Sequence, residues 1–122
     1  MVRGIRGATT VDLDDSACIQ AAVQELLIEM VRANGVETAD LTAALFSVTP
    51  DLTAAYAASA ARELGWTMVP LLDSVAPAVQ GSPAMCVRVM LLWNTGRPQA
   101  AVRHIYLRGA KGLRSDLSPG GN

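Results

Sequence analysis

The stretch CVRVMLLWNT, residues 86–95, decides the fold. It is apolar and rich in β-branched residues, and turn-forming segments bound it: a Pro/Gly/Ser loop over about 73–85 before it and Gly96 to Gln99 after it. Its longest apolar run, Val89 to Trp93, is far shorter than the roughly 20 residues a membrane-spanning helix needs. Read as a strand, it alternates. Val87, Val89, Leu91 and Trp93 fall on one face, and Arg88, Met90 and Leu92 fall on the other. Both faces carry apolar side chains, so both require cover. A guanidinium set in such a strand is costly unless it meets a carboxylate or an anionic ligand, and at this point both partners stay open.

Working outward, residues 2–11 read as a first strand, interrupted by Gly4 and Gly7. Asp14 to Ser16 offer helix caps. Ile19, Ala22, Val23, Leu26, Leu27, Met30 and Val31 then repeat at helical spacing up to a stop at Asn34-Gly35. Residues 42–49 predict a second strand ended by Pro50, and an alanine-rich helix follows from about 54 to 64. A short strand over 68–72 and a last strand over 102–107 flank the central stretch, and residues 115–122 are expected to form a tail that is flexible or ordered only by contacts. The order β-α-β-α-β-β-β implies an α/β (α+β) domain spanning 1–122, with a mixed sheet and helices on one face. Two helices cannot cover the second face, so sheet packing between subunits is expected.

Composition narrows the function. The 51% apolar content fits surface shared with another subunit, and a net charge of −1 argues against a general nucleic-acid binder. Of the 10 basic residues all but Lys111 are arginine, the side chain suited to bidentate binding of carboxylate or phosphate. Cys18, Cys86 and the single His104 lack metal-ligand spacing, and no cofactor motif is present, so neither metal nor cofactor is expected. The N-terminal residues carry no apolar signal core, which points to a cytoplasmic protein away from membranes.

Arg88 is the most informative residue. Arg6 lies in a strand beside Gly7, where backbone can approach a ligand, and alternation points it away from Arg3. Arg62 reads as a solvated helix residue, Tyr106 as a half-buried strand aromatic and His104 as structural. Several arginines with few acid or base groups suit a small polyanion better than hydrolysis or redox chemistry.

Four segments in order, RGIRGATTV (3–11), TPDL (49–52) with AARELGW (60–66), CVRVM (86–90), and VRHIYL (102–107) with LRSDL (113–117), together resemble the AroH-type chorismate mutases. The resemblance implies a homotrimer with sheets packed around a central axis, active sites between subunits, and rearrangement of chorismate to prephenate on the shikimate route to aromatic amino acids. It implies that Arg88 donates to the ether oxygen and a carboxylate, and that Arg6 and Tyr106 bind a carboxylate. By the same resemblance Tyr56 is expected to line the pocket, Arg62 to stand near the cleft mouth, and Leu113 and Arg114 to belong to a closing C-terminal segment.

The chain departs from that pattern after Val69-Pro70. Where the family has a glutamate that accepts from the substrate's ring hydroxyl, this chain has Ala76, and three residues earlier Asp73 replaces a cysteine or small residue. Asp73 is expected either to supply the missing acceptor or to cap a turn. Ser59 stands where some relatives carry a basic residue, which makes the cleft mouth less positive. Competing readings are a weakened or non-catalytic trimer that binds chorismate-like dicarboxylates, and a RidA-like deaminase.

Overall fold

A computed structural model describes residues 1–113 and the backbone of Arg114; the tail expected from 115 and the Arg114 side chain lie outside the described residues. The strands are β1 (Val2–Thr10), β2 (Leu41–Val48), β3 (Leu71–Val75), β4 (Cys86–Asn94) and β5 (Ile105–Tyr106). The helices are α1 (Ser16–Asn34) and α2 (Ala57–Glu63), and a 3₁₀ helix covers Arg108–Arg114. One five-stranded mixed sheet runs in the order β3-β2-β4-β1-β5. The central β4 is antiparallel to both neighbours, while β3 and β5 pair parallel to β2 and β1 at the edges. This is the expected fold class.

The helical repeat of α1 turns Ile19, Val23, Leu26, Leu27 and Met30 onto the sheet, where they meet Ile5, Phe46, Val87, Val89, Leu91 and Trp93 in one buried cluster. Asp15 caps the start of α1 by accepting from the Cys18 N–H at 2.7 Å, and Gly35 ends it in the left-handed conformation at φ 67°. In α2 the buried face is Ala57, Ala58, Ala60 and Ala61, small enough for the helix to lie close. No helix among the described residues is long and apolar enough to cross a membrane.

Neither α-helix lies over the opposite face of the sheet. Leu45 and Leu72 are 39% and 62% exposed there, beside the half-buried Ala43, Met90 and Leu92. Arg88 stands among them, exposed rather than buried as the apolar strand suggests, because both helices pack on the other side.

Three boundaries differ from the sequence reading, each for a visible reason. The third strand starts at Leu71 rather than 68, because pairing with β2 begins there, with the Ala44 N–H donating to the Pro70 carbonyl at 2.9 Å. Helix α2 starts at Ala57 rather than 54, since Asp14 takes the Thr53 and Ala54 N–H groups at 2.9 and 3.0 Å. The last strand shrinks to Ile105–Tyr106 because the buried Asn34 replaces a strand partner for Arg103. The Asn34 Oδ1 accepts from the Arg103 N–H at 2.8 Å, and its Nδ2 donates to the Arg103 carbonyl at 2.9 Å.

Gly7 faces α1. A Cβ added there would lie 2.3 Å from the Met30 sulfur, so the helix, rather than a ligand, makes use of the missing side chain. Gly7→Ala is therefore expected to lower the unfolding free energy by about 1–3 kcal/mol, as overpacking does. Urea denaturation checks this, and shortening the opposing side chain in Gly7→Ala/Met30→Val should recover part of the loss.

Candidate active site

Sheet register assembles the first hollow. Ser74, Ser47, Arg88, Ala8 and Tyr106 stand side by side across β3, β2, β4, β1 and β5, and side chains opposite one another project from the same face. In the next row Leu45, Met90 and Arg6 are aligned in the same way. Together with Leu113 from the 3₁₀ helix, these rows line an open cleft of about 470 Å³, within the roughly 300–1,000 Å³ usual for small-molecule sites. Two guanidinium groups line the cleft and, among the described residues, no carboxylate does. Neither arginine is within ion-pair distance of a carboxylate among the described residues.

Local structure explains these positions. The Arg6 N–H donates to His104 Nδ1 at 2.9 Å, so the histidine serves as a backbone acceptor that holds the start of β5 against β1. The Leu107 N–H donates to the Ala8 carbonyl at 2.9 Å, and Arg108 turns the chain at φ 52°. Arg108 Nε then donates to Glu25 Oε1 at 3.0 Å, and the Gly109 N–H donates to Thr10 Oγ1 at 2.9 Å. A Cβ on Gly109 would lie 2.8 Å from that threonine oxygen, so glycine permits the close approach that brings Leu113 over the cleft. Burial pushes the Cys86 thiol up, and the neighbouring Arg88 partly opposes that shift.

A second hollow, also of about 470 Å³, lies at the start of α2 and is lined by Tyr56, Asp73, Leu52, Thr53, Val75 and neighbouring residues. Tyr56 is 70% exposed at its rim. One oxygen of Asp73, Oδ1, accepts from the Ala58 N–H at 3.2 Å and so satisfies one of the free donors at the helix start. Asp73 pairs in register with Phe46 and shares its helix-side face, whereas Ala76 falls by alternation on the Arg88 side. The carboxylate offered for the missing acceptor therefore does not enter the Arg88 cleft of its own chain. Arg62 lines neither hollow; it is exposed on α2 and donates to Ser59 Oγ at 3.2 Å.

The structure thus brings Arg6, Arg88, Tyr106 and Leu113 together, and places Tyr56 and Asp73 apart from them. Sequence reasoning passed over Ser47 and Ser74, whose signal, a serine inside an apolar strand, carries meaning only once the register aligns it with Arg88. It also gave no role to Asp51, Thr49 or Thr53 in the loop joining β2 to α2. Asp14 accepts there from the Thr53 N–H, the Thr53 hydroxyl and the Ala54 N–H at 2.8–3.0 Å, and Asp51 accepts from the Thr49 hydroxyl and the Met85 N–H. The hydroxyl of Thr53 holds the Asp14 carboxyl below its ordinary value, and that of Thr49 does the same for Asp51.

Comparisons with known proteins point to a single family. The family model described as chorismate mutase type I matches residues 2–117. A chorismate mutase AroH of Thermus thermophilus is 51% identical over 118 residues, covering 96% of this chain and 97% of the relative. One of Bacillus subtilis (strain 168) is 42% identical over 119 residues, covering 97% and 94%. Among solved structures, a chorismate mutase from Clostridium thermocellum superposes with a TM-score of 0.88 at 44% identity, covering 90% of this chain and 98% of that one.

The two carboxylates set an acid limit on stability. Their folded values lie below the ordinary 3.8, so unfolding raises their proton affinity. Their contribution is complete above about 3.8 and is lost as the pH falls through the lowered folded values. Urea titrations from pH 6 to pH 3 should show stability falling with pH, and falling less steeply in Asp14→Asn/Asp51→Asn. Equal slopes in the two proteins would assign the acid sensitivity elsewhere.

Proposed function

The chain belongs to the chorismate mutase type I family, and on that premise we propose how its two hollows divide the work. The protein is an isomerase that converts chorismate to prephenate. In this concerted, unimolecular rearrangement the ether C–O bond breaks while a C–C bond forms, and the reaction calls for no nucleophile and no proton transfer. Two tasks fall to the polypeptide. It must hold the dianion in its compact reactive shape, and it must oppose the negative charge that builds on the ether oxygen.

In the proposed arrangement Arg88 donates to the ether oxygen and to a carboxylate, Arg6 and Tyr106 hold a carboxylate, and Leu113 and Arg114 close over the substrate. The observation that carries this reading is the cleft itself: two arginines, open to solvent and without a lining carboxylate among the described residues, on the face that neither α-helix covers. A dianion supplies the charge that the cleft lacks.

The second hollow completes the site from a neighbouring subunit. The apolar rows of Ala43, Leu45, Leu72, Met90 and Leu92 suit burial against another copy, and we take the assembly to be a homotrimer around those faces. Tyr56, Arg62 and Asp73 of one subunit then face the Arg88 cleft of the next. Asp73 Oδ2, which takes no hydrogen bond among the described residues, accepts the ring hydroxyl in place of the glutamate lost at Ala76. We place the whole chain in one catalytic domain working in the cytoplasm, on the route to aromatic amino acids.

Following chorismate by its ultraviolet absorbance tests these roles. Arg88→Ala should lose about 2.7–4 kcal/mol of transition-state stabilisation, about 10²–10³-fold in kcat, with the assembly size unchanged on gel filtration. Full turnover in that variant would remove the mechanism. Asp73→Ala should raise KM or lower kcat by about tenfold, the scale of a lost hydrogen bond to a charged group. Wild-type constants in Asp73→Ala would leave Asp73 as a helix cap only.

A further inference from the structure

The loop after β2 is fastened to the entry of β4 by bonds that the mechanism above does not use. Asp51 Oδ2 accepts from the Met85 N–H at 3.0 Å, and its Oδ1 accepts from the Thr49 hydroxyl. Thr49 Oγ1 in turn accepts from the Cys86 N–H at 2.9 Å, and the Thr49 N–H donates to the Cys86 carbonyl at 3.0 Å. Between these anchors Met85 is held at φ 51°, a left-handed conformation that a non-glycine side chain adopts only when its surroundings impose it. Cys86 is 1% exposed and stands two residues before Arg88 in β4, so by strand alternation the two side chains leave the same face.

We propose that Thr49 and Asp51 are positioning residues that aim Arg88 through Cys86. The carboxylate orients the Thr49 hydroxyl, leaving its oxygen lone pair for the Cys86 N–H. Thr49 fixes Cys86 from both its N–H and its carbonyl, and Cys86, packed too tightly to shift, sets where the Arg88 side chain emerges over the cleft. A fixed donor is worth most when it needs no reorganisation at the moment of reaction, and a misplacement of about 1 Å can cost about 10²-fold in rate. The proposal rests on the reading of Arg88 as the donor to the ether oxygen.

The test is a double-mutant comparison on the full chain, with kcat and KM for chorismate measured in wild-type and Arg88→Lys backgrounds. Thr49→Val, nearly isosteric but without the hydroxyl, should lower kcat about 10–100-fold while KM changes by less than about threefold. Thr49→Ser, which restores the hydroxyl, should recover most of that loss. In the Arg88→Lys background Thr49→Val should change kcat by less than about twofold, because the group it aims is gone. If Thr49→Val fails to fold by circular dichroism, Asp51→Asn carries the same comparison: its amide can accept only one of the two bonds the carboxylate holds. A kcat within about twofold of wild type in the folded variant, or the same fractional loss in both backgrounds, overturns the proposal. Full activity in Arg88→Lys alone would instead overturn the reading of Arg88, so the two failures are distinguishable.

Discussion

The register of β4 is the constraint on which both core and cleft depend. Its alternation sends Val87, Val89, Leu91 and Trp93 into the helix-side core and Arg88, Met90 and Leu92 to the other face. A slip of one residue would exchange Arg88 with a core valine, placing an unpaired guanidinium under α1 and exposing the core. Nine pairs with β1 and a further ladder with β2 hold the register on both sides. The core residues thus also decide which way Arg88 points.

What the helices leave uncovered then acquires its function. On that face the apolar rows ask for another protein surface, and the two arginines ask for an anion; in the proposed assembly a neighbouring subunit and the dicarboxylate substrate would meet both demands. The division into two hollows on different parts of the chain follows from the same geometry. Asp73, on the helix-side face, cannot serve the Arg88 of its own chain. In the proposed trimer the pairing of Ala76 with Asp73 would be a property of the assembly rather than of one chain.

Much of this was legible in the residues. The 3.6-residue repeat of α1 and the two-residue alternation of β4 emerged as read, because each is dictated by burial on one side. Alternation separated Arg6 from Arg3 and Arg88 from the core valines, but by itself it left a surface role for Arg6 and a structural ion pair for Arg88 open; the family resemblance is what named both as site residues. The limits of β3, α2 and β5 were not legible, since Pro70, Asp14 and Asn34 decide them through long-range hydrogen bonds. The 3₁₀ helix from Arg108 was missed for a similar reason: it is held by Glu25 and Thr10, remote in sequence, rather than by any propensity of its own. Local pattern reveals which face is buried, whereas the ends of elements answer to partners that only the fold brings near.

The central claim is that each site takes its cationic half from one subunit and its Tyr56, Arg62 and Asp73 half from the next. Mixing subunits tests it most directly. Arg88→Ala chains are unfolded and refolded together with chains carrying Tyr56→Ala, Arg62→Ala and Asp73→Ala, and chorismate loss is followed. If sites are shared, an equal mixture of the two inactive parents places intact halves together in roughly a quarter of the sites, and activity reappears to about that extent. If the mixture forms hybrids yet turns over chorismate no faster than the sum of its parents, the sites lie within single chains and the account is contradicted.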